Sequence, residues 1–143
     1  MRVVLDTNVL ISSFISAKGA PAQVFDLWQA GLLEIVTAQE ALDELQRVLA
    51  YPRIHSRLRY SDEQIEQYLL LLRKYALFME DLPVVAVIAA DPDDDKFLAI
   101  ALASNAQYIV SGDGHLLDVG VYQGLEIVTP AAFLTTFNSP ATE

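Results

Sequence analysis

The sequence predicts an α/β fold, a three-layer α/β/α sandwich around a central, mainly parallel sheet of about five strands. Three observations carry this. Strand-like and helix-like stretches alternate along the whole chain, the pattern of a parallel sheet with helices on both faces. The first run, Val3-Val4-Leu5, is continuously apolar rather than alternating, as a strand buried on both faces requires. No repeat, linker or composition break divides the 143 residues, a length that suits one domain with a sizeable core.

In order, Arg2–Leu5 reads as a first, central strand. It ends on Asp6, then on Thr7 and Asn8, which favour turns and caps. Residues 8–17 read as a helix capped near Thr7 or Asn8. Gly19 breaks the chain and Pro21 opens a second helix, with Val24, Phe25, Leu27 and Trp28 on its apolar face. Gly31 ends it, and residues 32–36 form the second strand. Thr37-Ala38-Gln39-Glu40 has capping-box spacing, so a helix starts near Ala38. Its apolar stripe is Ala41, Leu42, Leu45, Val48 and Leu49, with Glu44 at the edge, and Pro52 stops it.

Residues 51–60 are a basic, aromatic connector. Ser61-Asp62-Glu63-Gln64 is a second capping box, opening a helix over 62–78. Residues 84–88 follow Pro83 as the third strand. Asp91 and Pro92 are placed to cap and open the next helix, which buries Phe97, Leu98, Ala101 and Leu102. Tyr108–Val110 is the fourth strand, ending on Ser111-Gly112-Asp113. Leu116 and Leu117 begin a short turn, and 126–128 is the fifth strand. Thr129-Pro130 caps a last helix with Phe133, Leu134 and Phe137. The domain spans 1–137, and 138–143 is a flexible tail.

More than half of the residues are hydrophobic, which excludes a disordered chain. With no cysteine, disulfide scaffolds and thiolate metal sites are excluded, and a reducing cytoplasm fits. The start lacks the pattern of a signal peptide. No apolar run approaches the roughly 18 residues that span a bilayer, so no membrane association is expected. The net charge of −10 by itself argues against nucleic acid. However, six of the nine Lys and Arg residues lie between 47 and 74: Arg47, Arg53, Arg57, Arg59, Arg73 and Lys74. A local basic surface beside an acidic, cation-filled pocket suits a phosphodiester substrate.

Four acids stand out by position. Asp6 and Asp113 follow apolar strands, Asp94 lies in the first turn of a helix, and Glu44 flanks another. In a three-layer fold, strand tops and the helix N-termini after them share one edge, where active sites sit. Crowded carboxylates repel one another unless protonated or neutralised by a cation. Oxygen-only ligands suit Mg²⁺ or Mn²⁺. Each acid also has a plainer reading. An Asp after a strand is commonly a turn or cap residue, the acids at 91–95 complement a helix dipole, and Glu40 belongs to its capping box. The shared sheet edge is what raises these four. No Ser-His-Asp grouping is evident, and Gly112-Asp113-Gly114 lacks the lysine and spacing of a phosphate loop.

Four motifs in order then resemble a PIN domain over residues 2 to 135: Val3-Val4-Leu5-Asp6-Thr7-Asn8, residues 41–49 around Glu44, Asp91-Pro92-Asp93-Asp94-Asp95-Lys96-Phe97-Leu98, and Tyr108 to Leu117. The chain is similar to VapC-like toxins of prokaryotic toxin–antitoxin systems. The resemblance implies a metal-dependent endoribonuclease whose Mg²⁺ or Mn²⁺ is held by Asp6, Glu44, Asp94 and Asp113, with Asp95 as the substitute for Asp94. Asp94 is preferred because it shares a helical face with Leu98 and Ala101.

Glu44 would orient or deprotonate the attacking water. Asn8, with Thr7 or Ser111, would support the acids, and Arg47, Arg53, Arg57 and Arg59 would contact RNA phosphates. The implied partners are RNA, a cognate antitoxin protein and a second copy in a homodimer. One departure stands out: many relatives place a second acid where this chain has His115. Two rival functions are a non-catalytic PIN-fold binding module and an acid-lined phosphotransferase. Of the latter, the haloacid dehalogenase type needs an acid at position 8, which is Asn. The receiver type needs an early acidic pair and a late lysine, and neither is present.

Overall fold

The computed structural model describes residues 1–87 and 94–139. The apolar run becomes β1 (Arg2–Leu5), followed by α1 (Thr7–Ile15) and α2 (Ala20–Gln29). Then come β2 (Glu34–Thr37), α3 (Gln39–Leu49), α4 (Pro52–His55) and α5 (Asp62–Tyr75). β3 (Leu77–Phe78), α6 (Asp95–Ser104), β4 (Tyr108–Val110) and α7 (Gly114–Val119) lead to β5 (Val121–Tyr122), β6 (Leu125–Val128) and α8 (Pro130–Asn138).

The sheet order is β3-β2-β1-β4-β6-β5. All pairs are parallel except β5 with β6. β1 is central: Val3 lies opposite Ile35 on β2 and opposite Tyr108 on β4. Alternation along β1 feeds two cores. Val3 and Leu5 face one, with Phe14, Phe25, Leu45, Leu69 and Phe133 from the helices. Val4 faces the other, with Phe97, Leu98, Ile100 and Leu116. These are the three expected layers.

The first core carries an aromatic cluster. Phe14 meets Phe25 edge-on at 5.4 Å and stacks on Tyr68 at 5.6 Å. Tyr60 lies 4.8 Å from Tyr68, so the end of the 51–60 connector folds inward. Arg59 holds it there. Its guanidinium donates to the Ser13 carbonyl at 3.0 and 3.3 Å and lies over the Tyr60 ring. The connector is not wholly irregular, since Pro52 starts the short α4 rather than only ending α3.

Several elements differ from their sequence-based expectation. Asp6, not Thr7 or Asn8, caps α1 by accepting from the Val9 N–H at 3.0 Å. Thr37 is the last residue of β2 and pairs with Phe78, so the first capping box does not form and Ala38 caps α3 without a side-chain bond. The second box does form: Ser61 Oγ accepts from Gln64 N–H, and Gln64 Oε1 accepts from Ser61 N–H.

α5 ends at Tyr75, and the third strand is Leu77–Phe78 rather than 84–88. Residues 84–87 form no strand, and Val84 is 99 % exposed; Ile88 lies outside the described residues, as does the predicted Asp91 cap. A β-branched run becomes a strand only where a neighbouring edge accepts it. Here the edge of β2 is already taken by the two residues that leave α5. The sixth strand, β5, pairs back on β6 through Gln123 and Gly124, both at positive φ (51° and 85°). That is the backbone of a mirror-image hairpin turn, usually signalled by Asn-Gly. Gln at the first position concealed it.

Phe14→Ala is expected to cost about 3–5 kcal/mol, the range for a buried aromatic truncated in a core. Val84→Ala is expected to stay within about 0.5 kcal/mol, as for an exposed position. Urea unfolding of both variants checks the pair.

Candidate functional site

β1 lies between β2 and β4, and the chain leaves it first toward β2 and later toward β4. The crevice at such a switch point, beyond the carboxyl ends of the strands, is where open α/β sheets bind ligands. Here it is a cleft of about 160 Å³ lined by Asp6, Thr7, Asn8, Glu44, Val48, Asp94, Phe97 and Asp113. All four singled-out acids therefore reach one place, from β1, α3, the start of α6 and the loop after β4.

Asp6 is the floor of the cleft, 3 % exposed. Register puts Leu5 opposite Val110, so Asp6 meets Ser111. The Asp6 N–H donates to the Val110 carbonyl at 3.1 Å, and the Ser111 hydroxyl donates to Asp6 Oδ2. The Val9 N–H donates to Oδ1. Burial pushes the Asp6 carboxyl above its usual range, the Ser111 and Val9 hydrogen bonds pull it back, and the charge of Asp113 adds to the rise. Ser111 also accepts from the Asp113 N–H at 2.9 Å, so one buried hydroxyl ties the two strand-end acids together. Asp113 in turn caps α7, accepting from the His115 N–H at 2.7 Å.

Glu44 projects from α3 and is engaged on both oxygens. Thr7 Oγ1 donates to Oε2, and Lys96 Nζ lies 2.9 Å from Oε1, with both side chains 20 % exposed. Lys96 is the site residue that sequence reasoning missed. It follows the acidic run directly, but nothing in the sequence says that the first turn of α6 faces α3. The two candidates for the third acid part company. Asp94 lines the cleft, whereas Asp95 is buried and accepts from the Val87 N–H at 3.1 Å, holding the segment before α6.

The supporting residues fall in place differently. Thr7 and Ser111 bond to Glu44 and Asp6, and Asn8 is an exposed residue on the rim. Arg47, Arg53 and Arg57 are exposed, with Arg47 three residues after Glu44 on α3. Arg59 is exposed too, and its guanidinium is bonded to the Ser13 carbonyl.

Among the described residues, the grouping whose ligand atoms all lie within 4.8 Å of one another is Asp94, Asp113 and His115. Asp6 and Glu44 line the same cleft outside that grouping. Two carboxylates and an imidazole are a donor set for a divalent cation, and a cation there would offset the repulsion among the acids.

The sequence profile of the PIN domain family matches residues 2–115. An uncharacterized protein of Methanocaldococcus jannaschii is 28 % identical over 145 residues, covering 96 % of this chain and 92 % of its own length.

The raised Asp6 carboxyl has a consequence for stability. The native state binds the proton more tightly than the unfolded chain, so this group's contribution is fully present at low pH and is lost as pH rises through the native pKa. Asp6→Asn removes the buried charge and keeps an oxygen for Val9. The metal-free variant is expected to melt higher than wild type at pH 7, with the gap narrowing as pH falls into the acid range. Thermal scans in chelator across pH check this.

Proposed function

The chain belongs to the PIN domain family, and on that premise we propose that it is a metal-dependent endoribonuclease hydrolysing phosphodiester bonds of RNA. The observation that carries the proposal is the cleft at the β1/β4 switch point, where Asp6, Glu44, Asp94 and Asp113 from four separate segments line one cavity. The family fold is nuclease-like. The donor set fits Mg²⁺ or Mn²⁺, and such an ion, when bound, would orient a scissile phosphate and supply an attacking water of lowered pKa.

The chain's own residues have distinct parts. Asp94 and Asp113 would hold the ion. Asp6 fixes Asp113 through Ser111 and adds negative charge from below. Glu44, set by Thr7 and Lys96, would orient the attacking water and accept its proton. Lys96 carries positive charge beside an otherwise acidic cleft, and the exposed Arg47, Arg53 and Arg57 would give the approaching backbone cationic contacts. Among the described residues no helix is long and apolar enough to cross a membrane. By its motif resemblance, the protein acts in the cytoplasm as the toxin of a toxin–antitoxin pair, with a cognate antitoxin protein as partner.

Cleavage of mixed RNAs should require Mn²⁺ or Mg²⁺, stop with chelator and be abolished in Asp6→Asn. Chelator-resistant cleavage at the wild-type rate in that variant would overturn the proposal. Asp94→Asn should lower activity by about a hundredfold or more, the upper end of what loss of a supporting residue at a metal site costs. Asp95→Asn should lower it by less than about tenfold while reducing stability. Induced expression of the wild type should arrest bacterial growth, and expression of Asp6→Asn should not.

A further inference from the structure

We propose that His115 is a nitrogen ligand of the metal centre beside Asp94 and Asp113, and that this donor makes the site select Mn²⁺ over Mg²⁺. The inference rests on the metal-dependent reading above and concerns which ion that site takes.

The ligand atoms of Asp94, Asp113 and His115 are mutually within 4.8 Å. Two donors facing each other across one ion lie about 4 Å apart, given metal–ligand bonds near 2.1 Å, so a small contraction closes the set. The imidazole is anchored and available. The His115 backbone N–H is pinned to Asp113 Oδ1 at 2.7 Å, which fixes the root of the side chain at the cleft edge. Its Nδ1 is 3.7 Å from the same oxygen, beyond a hydrogen bond. The side chain is 53 % exposed, so an arriving ion meets no packed barrier.

Glu44 points the same way. Both its oxygens are engaged, by Thr7 and Lys96, so the acid expected to share the ion is already neutralised by a lysine. His115 takes up part of that vacated task. Replacing a carboxylate with an imidazole lowers the negative charge and softens the donor set. Mg²⁺ is a hard ion that takes oxygen and keeps its waters, whereas first-row transition ions accept imidazole nitrogen readily. The site therefore gives up Mg²⁺ affinity and keeps Mn²⁺ affinity.

Pulsed electron paramagnetic resonance of the protein loaded with MnCl₂ should show a ¹⁴N coupling from a directly bound nitrogen. It should vanish in His115→Ala and persist in His55→Gln, whose histidine is paired with Asp62 elsewhere. Calorimetric titration with MnCl₂ and MgCl₂ should show the preference for Mn²⁺ falling at least about tenfold in His115→Asp, with circular dichroism unchanged. A coupling that is absent, or that survives His115→Ala, overturns the role of His115, as does an ion preference equal in wild type and His115→Asp. These results would leave a carboxylate metal site standing. Failure of both ions to bind wild type would instead overturn the metal-dependent reading and favour a non-catalytic binding module.

Discussion

A buried carboxylate at the centre of a parallel sheet is the constraint on which the rest of the site depends. Asp6 ends the middle strand and is almost wholly removed from water. Such a group is tolerated only where hydrogen bonds meet its oxygens. The α1 turn supplies the Val9 N–H, and the neighbouring strand supplies Ser111. The second bond needs β1 and β4 side by side and in parallel register, with Leu5 opposite Val110. The same hydroxyl receives the Asp113 N–H. The sheet's pairing and the spacing of its acids are thus one feature, since a slip of one residue would turn Asp6 to the other face.

Charge is then managed in layers. Burial and the nearby Asp113 both oppose ionisation of Asp6, while Lys96 neutralises Glu44 at the rim. Asp94 and Asp113 lie beside the His115 imidazole, their ligand atoms mutually within 4.8 Å. This graded arrangement differs from four equivalent carboxylates around an ion. The deepest acid positions, one rim acid is matched by a lysine, and the middle acids with His115 are spaced for a cation. In a protein of net charge −10, Lys96 offsets part of the charge that this cleft gathers.

The layer order, the central place of β1 and the acids at strand ends were legible in the residues. They follow from apolar runs, capping chemistry and the alternation of strands with helices, all local properties of the chain. Local chemistry also explains why Asp6 serves twice, as strand end and as helix cap, although the cap was expected one or two residues later. It misled at Thr37, where a capping side chain was claimed by strand pairing. It misled again at 84–87, which form no strand, because the place beside β2 is already taken by Leu77 and Phe78.

Sequence alone determined the α/β class, the four acids and the PIN motifs, because each is written in short-range patterns of residue type. Only the tertiary structure decided how those acids are held. It turned Asp94 into the cleft and Asp95 to Val87, set Lys96 against Glu44 across a separation of 52 residues, and bound the Arg59 guanidinium to the Ser13 carbonyl. It also brought the His115 imidazole within 4.8 Å of the ligand atoms of Asp94 and Asp113. Such pairings depend on which helix face packs against which strand. That is settled by burial of the two cores, not by any spacing along the chain.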